Sequence, residues 1–293
     1  MTAGATVRAL MAGAIDYAGL FPPAGLGMPE AVRNYAAYRR GPHAWMLGRF
    51  VVPVARLEEL ASASATLPAP GDGAWPVSAI ARASDAGALA AFNARHGSRL
   101  RIDMVESPRA TVADVASLAA LVPTYEVYAE VDAVDDPATV IAACARHGVG
   151  AKIRTGGVTP DAFPTPAQVA RFMRACREAG VPFKATAGLH HAWRAEYPLT
   201  YASDAARGTM FGFAGVLLAG VAVAGGAGDG ELASVLGAPG SAGFALDERG
   251  AVLPSGRAVP AELVAAARRA TIRSFGSCSF DEPVQDLAAA RLL

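Results

Sequence analysis

The chain has 293 residues, a formal net charge of zero and 53% hydrophobic residues. This length exceeds the ~100–200 residues typical of one domain, but a (β/α)8 barrel commonly reaches it as a single domain. The balanced charge gives no indication of a nucleic-acid partner, and the most apolar run, residues 211–224, is too short to cross a membrane. Three cysteines without a CxxC pair favour a reducing, cytoplasmic location.

Short apolar runs alternate with amphipathic segments through the first two thirds of the chain. Residues 15–24 are interpreted as an irregular lead-in, followed by a helix over residues 28–40. The predicted strands are residues 46–54, 77–81, 100–105, 125–131, 150–155 and 183–186. The predicted helices between them are residues 57–63, 86–96, 111–121, 137–146 and 166–179. This alternation is typical of repeated βα units around a parallel sheet, and it predicts a single α/β domain over residues 1–293, a (β/α)8 TIM barrel. No Gly-x-Gly-x-x-Gly follows the first predicted strand, which argues against a dinucleotide-binding sheet.

Beyond residue 188 the pattern becomes less regular. Helices are predicted over residues 209–224, 260–269 and 282–290, and the last strand over residues 272–277. A hairpin insertion is predicted near residues 240–258, around Asp247-Glu248-Arg249-Gly250. The seventh strand of the barrel is not assigned.

Lysine is almost absent from the chain. Only Lys152 and Lys184 occur among the 26 lysines and arginines, and both fall in short apolar segments predicted to be buried strands. Arginine stays protonated, whereas a desolvated lysine can lose its proton. A neutral amine in an apolar pocket is what Schiff-base chemistry requires. The alternative is that two lysines survive by chance in an arginine-biased composition, but chance would more often place them on a helix surface.

Two carboxylates fall on neighbouring predicted strands. Asp103 lies in the strand of residues 100–105, and Glu130 lies near the end of the strand of residues 125–131. The strands of a barrel end at one face, where active sites are built, and a charge in an apolar strand is costly unless it is paired. We therefore expect both acids to share one pocket with Lys152 and Lys184. For either acid alone, the alternative is a structural ion pair with an arginine.

Five segments also resemble known motifs in the same order along the chain. They are Ile15-Asp16-Tyr17-Ala18-Gly19-Leu20-Phe21-Pro22, Ile102-Asp103-Met104-Val105, Val149-Gly150-Ala151-Lys152-Ile153-Arg154-Thr155-Gly156, Phe183-Lys184-Ala185-Thr186-Ala187-Gly188 and Ser274-Phe275-Gly276-Ser277-Cys278-Ser279. Together they resemble the deoxyribose-phosphate aldolase family, Schiff-base (class I) aldolases built on a (β/α)8 barrel. The set spans most of the chain.

The resemblance implies a role for each matched residue. Lys152 would form an imine with a small-molecule carbonyl substrate, and the charge of Lys184 would favour the neutral amine of Lys152. Asp103 would move protons together with Lys184, and Asp16 would support them. The resemblance thus implies a lyase that makes or breaks a carbon–carbon bond without a cofactor. The predicted substrate-binding residues are Glu130, Arg154, Thr155, Gly188, His190, His191, Gly276, Ser277 and Ser279.

The chain departs from the family where the family holds the substrate phosphate. Leu189 replaces a glycine, and His190-His191 replaces an arginine. Asp281 and Glu282 follow the last motif directly, where two acids stabilise a helix start but repel a phosphate. We therefore expect a substrate other than a standard phosphorylated deoxy sugar.

Two other functions remain open from the sequence. His190 and His191 with Asp103 and Glu130 would suit a metal-dependent barrel hydrolase or lyase, and a non-catalytic binding barrel is the third reading. Arg154 is interpreted either as structural, on the strand face opposite Lys152, or as the ligand of a carboxylate at the strand end. A homo-oligomer is compatible with the sequence.

Overall fold

Eight parallel strands close into a barrel in the computed structural model, which describes residues 4–69, 71 and 73–293. The strands are β1 (Ile15–Tyr17), β2 (Leu47–Pro53), β3 (Trp75–Ile80), β4 (Leu100–Ser107), β5 (Glu126–Val131), β6 (Gly150–Arg154), β7 (Phe183–Thr186) and β8 (Ile272–Ser277). Each strand pairs with the next along the chain, and β1 pairs with both β2 and β8 to close the barrel. The predicted (β/α)8 barrel is confirmed.

Helices cover the outside of this barrel. They are α1 (Ala5–Met11), α2 (Met28–Tyr38), α3 (Leu57–Ala65), α4 (Ala86–His96), α5 (Val112–Leu118), α6 (Ala138–His147), α7 (Pro166–Glu178), α8 (Phe213–Ala224), α9 (Asp229–Gly237), α10 (Ala261–Ala270) and α11 (Asp281–Ala289). Helix α7 shows how the sequence sets a boundary. Thr165 accepts a hydrogen bond from the backbone N–H of Gln168, the Gln168 side chain caps Thr165 in return, and Pro166 occupies the first turn. No helix among the described residues combines the length and apolar character needed to cross a bilayer.

The first strand was missed by the sequence prediction. Ile15–Tyr17 is β1, not part of an irregular lead-in, and all three of its residues are buried. Three residues are too few for a periodicity to be read, and β1 owes its extended form to pairing with β2 and β8. The strand predicted over residues 272–277 is therefore the eighth, and the seventh is Phe183–Thr186.

A long connection, residues 187–271, joins β7 to β8. Ala195–Pro198 pairs with Arg207–Met210 in an antiparallel ribbon, so the helix predicted from residue 209 begins only at Phe213. A second sheet comprises Ala245–Asp247, Gly250–Val252 and Ala258–Pro260. Its first two strands form a hairpin within the range predicted for an insertion, and the third extends it to three strands.

The first helix of the barrel packs beside the segment that leads into β8. Helix α1 packs against α10. The Arg268 side chain of α10 is buried and donates hydrogen bonds to the backbone carbonyls of Leu10, at 2.7 Å, and of Ala12, at 3.2 Å. Its guanidinium also donates to the carbonyls of Ile272 and Arg273 in β8. One side chain thus ties the first helix to the last strand.

Candidate active site

The two lysines lie at the same level inside the barrel. Lys152 in β6 and Lys184 in β7 are register partners, and they are 4% and 0% exposed. Side chains alternate along a strand, so the apolar neighbours Ala151 and Ile153 face the surrounding helices while Lys152 faces the barrel interior. The prediction that both amines share the barrel interior is confirmed.

Glu106 in β4 joins the two amines. One carboxylate oxygen, Oε1, accepts a hydrogen bond from Lys184 Nζ at 2.7 Å, and the other, Oε2, lies 3.2 Å from Lys152 Nζ. The Ser78 hydroxyl donates to Oε1 at 2.7 Å. Burial raises the pKa of the Glu106 carboxyl, but the two lysine charges and the hydrogen bonds outweigh it and hold the pKa well below its ordinary value. Glu106 is therefore ionised at neutral pH.

Lys184 is enclosed by acceptors on the inner side of the site. Its Nζ donates to Asp16 Oδ2 at 2.6 Å and to Glu106. Asp16 is held in place by the Ser274 hydroxyl, at 2.6 Å, and by the backbone N–H of Arg49, at 2.9 Å. Burial alone lowers the pKa of Lys184, but the two carboxylates outweigh it and raise the pKa above its ordinary value. Lys184 is thus a fixed positive charge.

Lys152 occupies the accessible side of the site. Besides Glu106, its Nζ lies 3.1 Å from Glu130 Oε2 at the end of β5. Lys152 and Glu106 line a cavity of about 260 Å³ at the carboxyl ends of the strands, whereas Lys184 lies outside its wall. A molecule in this cavity therefore meets the amine of Lys152 first.

The wall of this cavity is largely apolar. Phe21, Pro22 and Pro23 of the loop after β1 line one side, with Val51 and Ile80 from the ends of β2 and β3. Pockets for drug-sized ligands measure about 300–1,000 Å³, so a cavity of this volume suits a small molecule.

Asp103 does not reach the lysines, contrary to the sequence prediction. Its carboxylate accepts hydrogen bonds from the Arg49 guanidinium at 2.7 and 3.2 Å, and Arg49 also contacts Glu126 at 3.1 Å. The pairing between β3 and β4 shifts at this point, so that Asp103 is skipped in the register. Asp103 lies nearer the start of β4, and the acid beside the lysines is Glu106, three residues later. The ion pair with an arginine was the alternative reading of Asp103.

The two adjacent histidines, His190 and His191, make different contacts. His191 Nδ1 lies 3.2 Å from Asp286 of α11, and its ring stacks on Tyr197 at 3.7 Å. His190 lines the cavity, and its Nδ1 lies 3.4 Å from Cys278 Sγ. Burial, with a smaller contribution from His191, lowers the pKa of His190 to about 4, so its imidazole is neutral at pH 7. His190 lines the cavity and His191 does not, so the predicted substrate-binding position has geometric support at His190 alone of the two.

The metal site considered from the sequence has no geometric support. Asp103 pairs with Arg49, Glu130 with Lys152 and His191 with Asp286, so these groups do not converge with His190. Within the part of the chain that the structure describes, no three His, Cys, Asp or Glu side chains are arranged to hold a metal ion.

Thr155 was predicted to bind substrate, but it does not line the cavity. Its side chain instead contacts the turn after β7. Its buried hydroxyl donates to the Ala187 carbonyl at 2.8 Å. Ala187 and Gly188 have φ values of 65° and 70°, in the left-handed region that favours glycine. A Cβ on Gly188 would lie 3.1 Å from the Gly156 Cα, so the two loops approach closely there. Gly188 itself lines the cavity, as predicted.

The end of β8 contributes differently from the prediction. Gly276 lines the cavity, and a Cβ there would lie 2.8 Å from Thr186 Oγ1. Ser277 is buried, with its hydroxyl 3.4 Å from His190 Nδ1, and the Ser279 hydroxyl accepts a hydrogen bond from the backbone N–H of Glu282 at the start of α11. Neither serine lines the cavity, whereas Cys278, which was not predicted, does.

Arg154 lies on the same side of β6 as Lys152 and lines the same cavity. The interpretation that it faced the opposite side was wrong, because residues two apart in a strand share a face. Arg154 also lines an adjoining cleft of about 350 Å³, together with Glu130 and the Arg109–Asp132 ion pair.

Comparisons of the chain with protein-family models, with curated proteins and with solved structures find no match. The resemblance to the deoxyribose-phosphate aldolase family therefore rests on the five motifs and on the arrangement of the lysines.

Proposed function

We propose that the protein is a Schiff-base lyase of the class I aldolase type, acting on a small carbonyl substrate. The observation that carries this proposal is the bridge of Glu106 between Lys152 and Lys184, with only Lys152 open to the cavity. An imine-forming lysine needs access to the carbonyl and a partner that takes its proton. Lys152 has both.

The chemistry follows from these positions. Lys152 Nζ attacks the carbonyl carbon and forms a carbinolamine, which loses water to give a protonated imine. A carboxylate accepts the proton of a hydroxyl on the β carbon, a carbonyl forms there, and the bond between the α and β carbons breaks. The electron pair of that bond passes to the imine and leaves an enamine, while the new carbonyl compound departs as the first product. Protonation of the enamine and hydrolysis release the product and restore the amine. The reverse sequence makes the bond.

Two carboxylates lie within reach of the protons that move. Glu106 Oε2 and Glu130 Oε2, at 3.2 and 3.1 Å from Lys152 Nζ, are acceptors for the proton that the amine loses before attack. The hydroxyl that leaves the carbinolamine as water must receive a proton, and the proton that Glu106 or Glu130 accepted from the amine is available for this step. A well-placed acid or base contributes roughly 10²–10⁴-fold to rate.

Borohydride reduction tests the proposal directly. Wild-type protein incubated with a panel of small aldehydes and borohydride gains one reduced adduct per chain by intact mass, mapped to Lys152 by peptide analysis. Lys152→Arg gains none. Lys184→Arg, the matched control, keeps an open amine at position 152 and is trapped more slowly.

Two outcomes would overturn the assignment. Trapping of Lys152→Arg at the wild-type rate would move the nucleophile to another group. Absence of any adduct on wild type across the panel would remove the Schiff-base function and leave a binding barrel.

A further inference from the structure

We propose that Arg154 recognises the carboxylate of a short-chain oxo acid whose carbonyl carbon reacts with Lys152. This inference rests on the proposed Schiff-base function and names the class of its substrate.

Arg154 is the unpaired cation of the cavity. Among the described residues, no carboxylate forms an ion pair with its guanidinium, and its side chain is exposed at the end of β6. The other cation of the cavity wall, Lys152, contacts two carboxylates, and Arg109 in the adjoining cleft contacts Asp132 at 2.5 Å. A guanidinium at the mouth of a small cavity without a protein carboxylate is available to a ligand carboxylate.

The other charged groups near Arg154 are already in contact with a partner or are neutral. Lys152 and Lys184 contact three carboxylates, those of Asp16, Glu106 and Glu130, so their cluster holds one negative charge in excess. His190 is neutral at pH 7, because burial lowers its pKa to about 4. Among the described residues, the Arg154 guanidinium is therefore the positive charge of the cavity wall that no protein carboxylate contacts.

Two acids lie near the β8 side of the cavity, although neither lines it. Glu282, at the start of α11, lies 3.9 Å from His190 Nδ1 and accepts a hydrogen bond from the Tyr201 hydroxyl at 3.1 Å. Asp281 lies beside it in the same first helical turn. Their negative charge disfavours an anionic substituent near α11, whereas Arg154 attracts one at the end of β6.

The positions of Lys152 and Arg154 on β6 suit a short substrate. Residues two apart in a strand are separated by roughly 6.6–6.8 Å. Both side chains line the same cavity of about 260 Å³, so an imine carbon on Lys152 and a carboxylate on Arg154 fit one small molecule. One guanidinium matches one carboxylate in a two-pronged hydrogen bond, whereas a phosphate dianion would leave part of its charge unmatched.

A matched pair of aldehydes tests this inference. Butanal and 4-oxobutanoate both have four carbons and differ at the far end, which is a methyl group or a carboxylate. The measurement is the concentration of each that gives half-maximal borohydride trapping, read by intact mass. Wild type is expected to prefer 4-oxobutanoate by roughly 10–100-fold, the range of a hydrogen bond to a charged group.

The variants assign the preference to one side chain. In Arg154→Gln, the ratio of the two half-maximal concentrations is expected to fall to about one. Arg154→Lys is expected to retain part of the preference for 4-oxobutanoate, because an ammonium keeps the charge but lacks the two-pronged geometry. Arg109→Gln is the matched control, an exposed arginine of the adjoining cleft whose charge is already paired, and it keeps the wild-type ratio. Thermal melting verifies that each variant is folded.

The outcomes separate the two proposals. Equal trapping of both aldehydes by wild type would overturn the role of Arg154 and leave the Schiff-base function standing. A preference that survives Arg154→Gln, or a stronger preference for 3-oxopropyl phosphate than for 4-oxobutanoate, would also overturn it. Trapping of neither aldehyde would remove the Schiff-base function, and the inference with it.

Discussion

Lys152 and Lys184 are register partners on neighbouring parallel strands, yet only Lys152 reaches the cavity. Lys184 is enclosed by Asp16 and Glu106, which raise its pKa and keep it charged. The barrel therefore gives two chemically identical side chains different surroundings, a fixed charge inside and an accessible amine outside. Glu106 couples them, so its loss is expected to affect both lysines.

Glu106→Gln is expected to lower the rate of imine trapping by roughly 10²–10⁴-fold, because it removes the acceptor shared by the two amines. It also leaves two buried lysines with less compensation, which costs about 3–5 kcal/mol of unfolding free energy. Urea denaturation and borohydride trapping measure the two effects. Ser78→Ala is the control, since it removes one hydrogen bond to Glu106 and keeps both lysine contacts. A folded Glu106→Gln protein that is trapped at the wild-type rate would contradict the assigned role.

Asp103→Asn is expected to leave imine trapping within about threefold of wild type, because Asp103 contacts Arg49 and not the lysines. Its partly exposed ion pair contributes only about 1 kcal/mol or less to stability. The same two assays check this. If Asp103→Asn abolished trapping while Glu106→Gln did not, the acid predicted from the sequence motif would be correct after all.

The stability of the protein is expected to fall between pH 6.5 and pH 4 because of His190. Burial lowers the pKa of His190 from 6.5 to about 4, so the unfolded chain binds a proton in this window that the folded protein does not. Stability from this group is present above pH 6.5 and is lost towards pH 4, by up to about 3 kcal/mol.

Urea denaturation at several pH values measures this slope. His190→Gln reduces it, whereas His147→Gln, at a partly exposed position near the end of α6, leaves it nearly unchanged. Equal slopes for wild type and His190→Gln would show that other groups govern the acid sensitivity.

We expect little or no preference for a phosphorylated sugar. Asp281 and Glu282 start the helix that follows β8, and His190 beside them is neutral at pH 7. The measurement is kcat/KM for 2-deoxyribose and for its 5-phosphate. A preference for the phosphate above about a hundredfold, equivalent to ~2.7 kcal/mol, would mean that this end of the barrel binds phosphate despite its acids.

The sequence was sufficient to predict the barrel fold and the burial of both lysines inside it. The alternation of strands and helices indicates the parallel sheet, and two lysines in apolar strands stand out against an arginine-rich composition. Strand β1 could not be recognised, because three residues carry no readable period and its partners lie far along the chain.

The choice between Asp103 and Glu106 shows where sequence patterns stop being informative. Strands of a covered parallel sheet are buried on both faces, so apolar alternation does not reveal which residues face the barrel interior. The register shift at Asp103 also changes which residues of β4 pair with β3 beyond that point. An acid at the carboxyl end of the predicted strand was visible in Val105-Glu106-Ser107, but the motif resemblance favoured the earlier one. Similarly, nothing in the pair His190-His191 indicates that only one ring faces the cavity.

Asp16 joins β1 to the last two strands of the barrel. It accepts hydrogen bonds from Lys184 in β7 and from Ser274 in β8. During synthesis, a ribosome that has delivered the chain through β7 has already produced both lysines, but the barrel is still open beside β1. The Ser274 hydroxyl, which donates to Asp16, is added only when β8 emerges and closes the wall. A chain that stops before β8 therefore carries both lysines but lacks the contact that holds Asp16 beside Lys184.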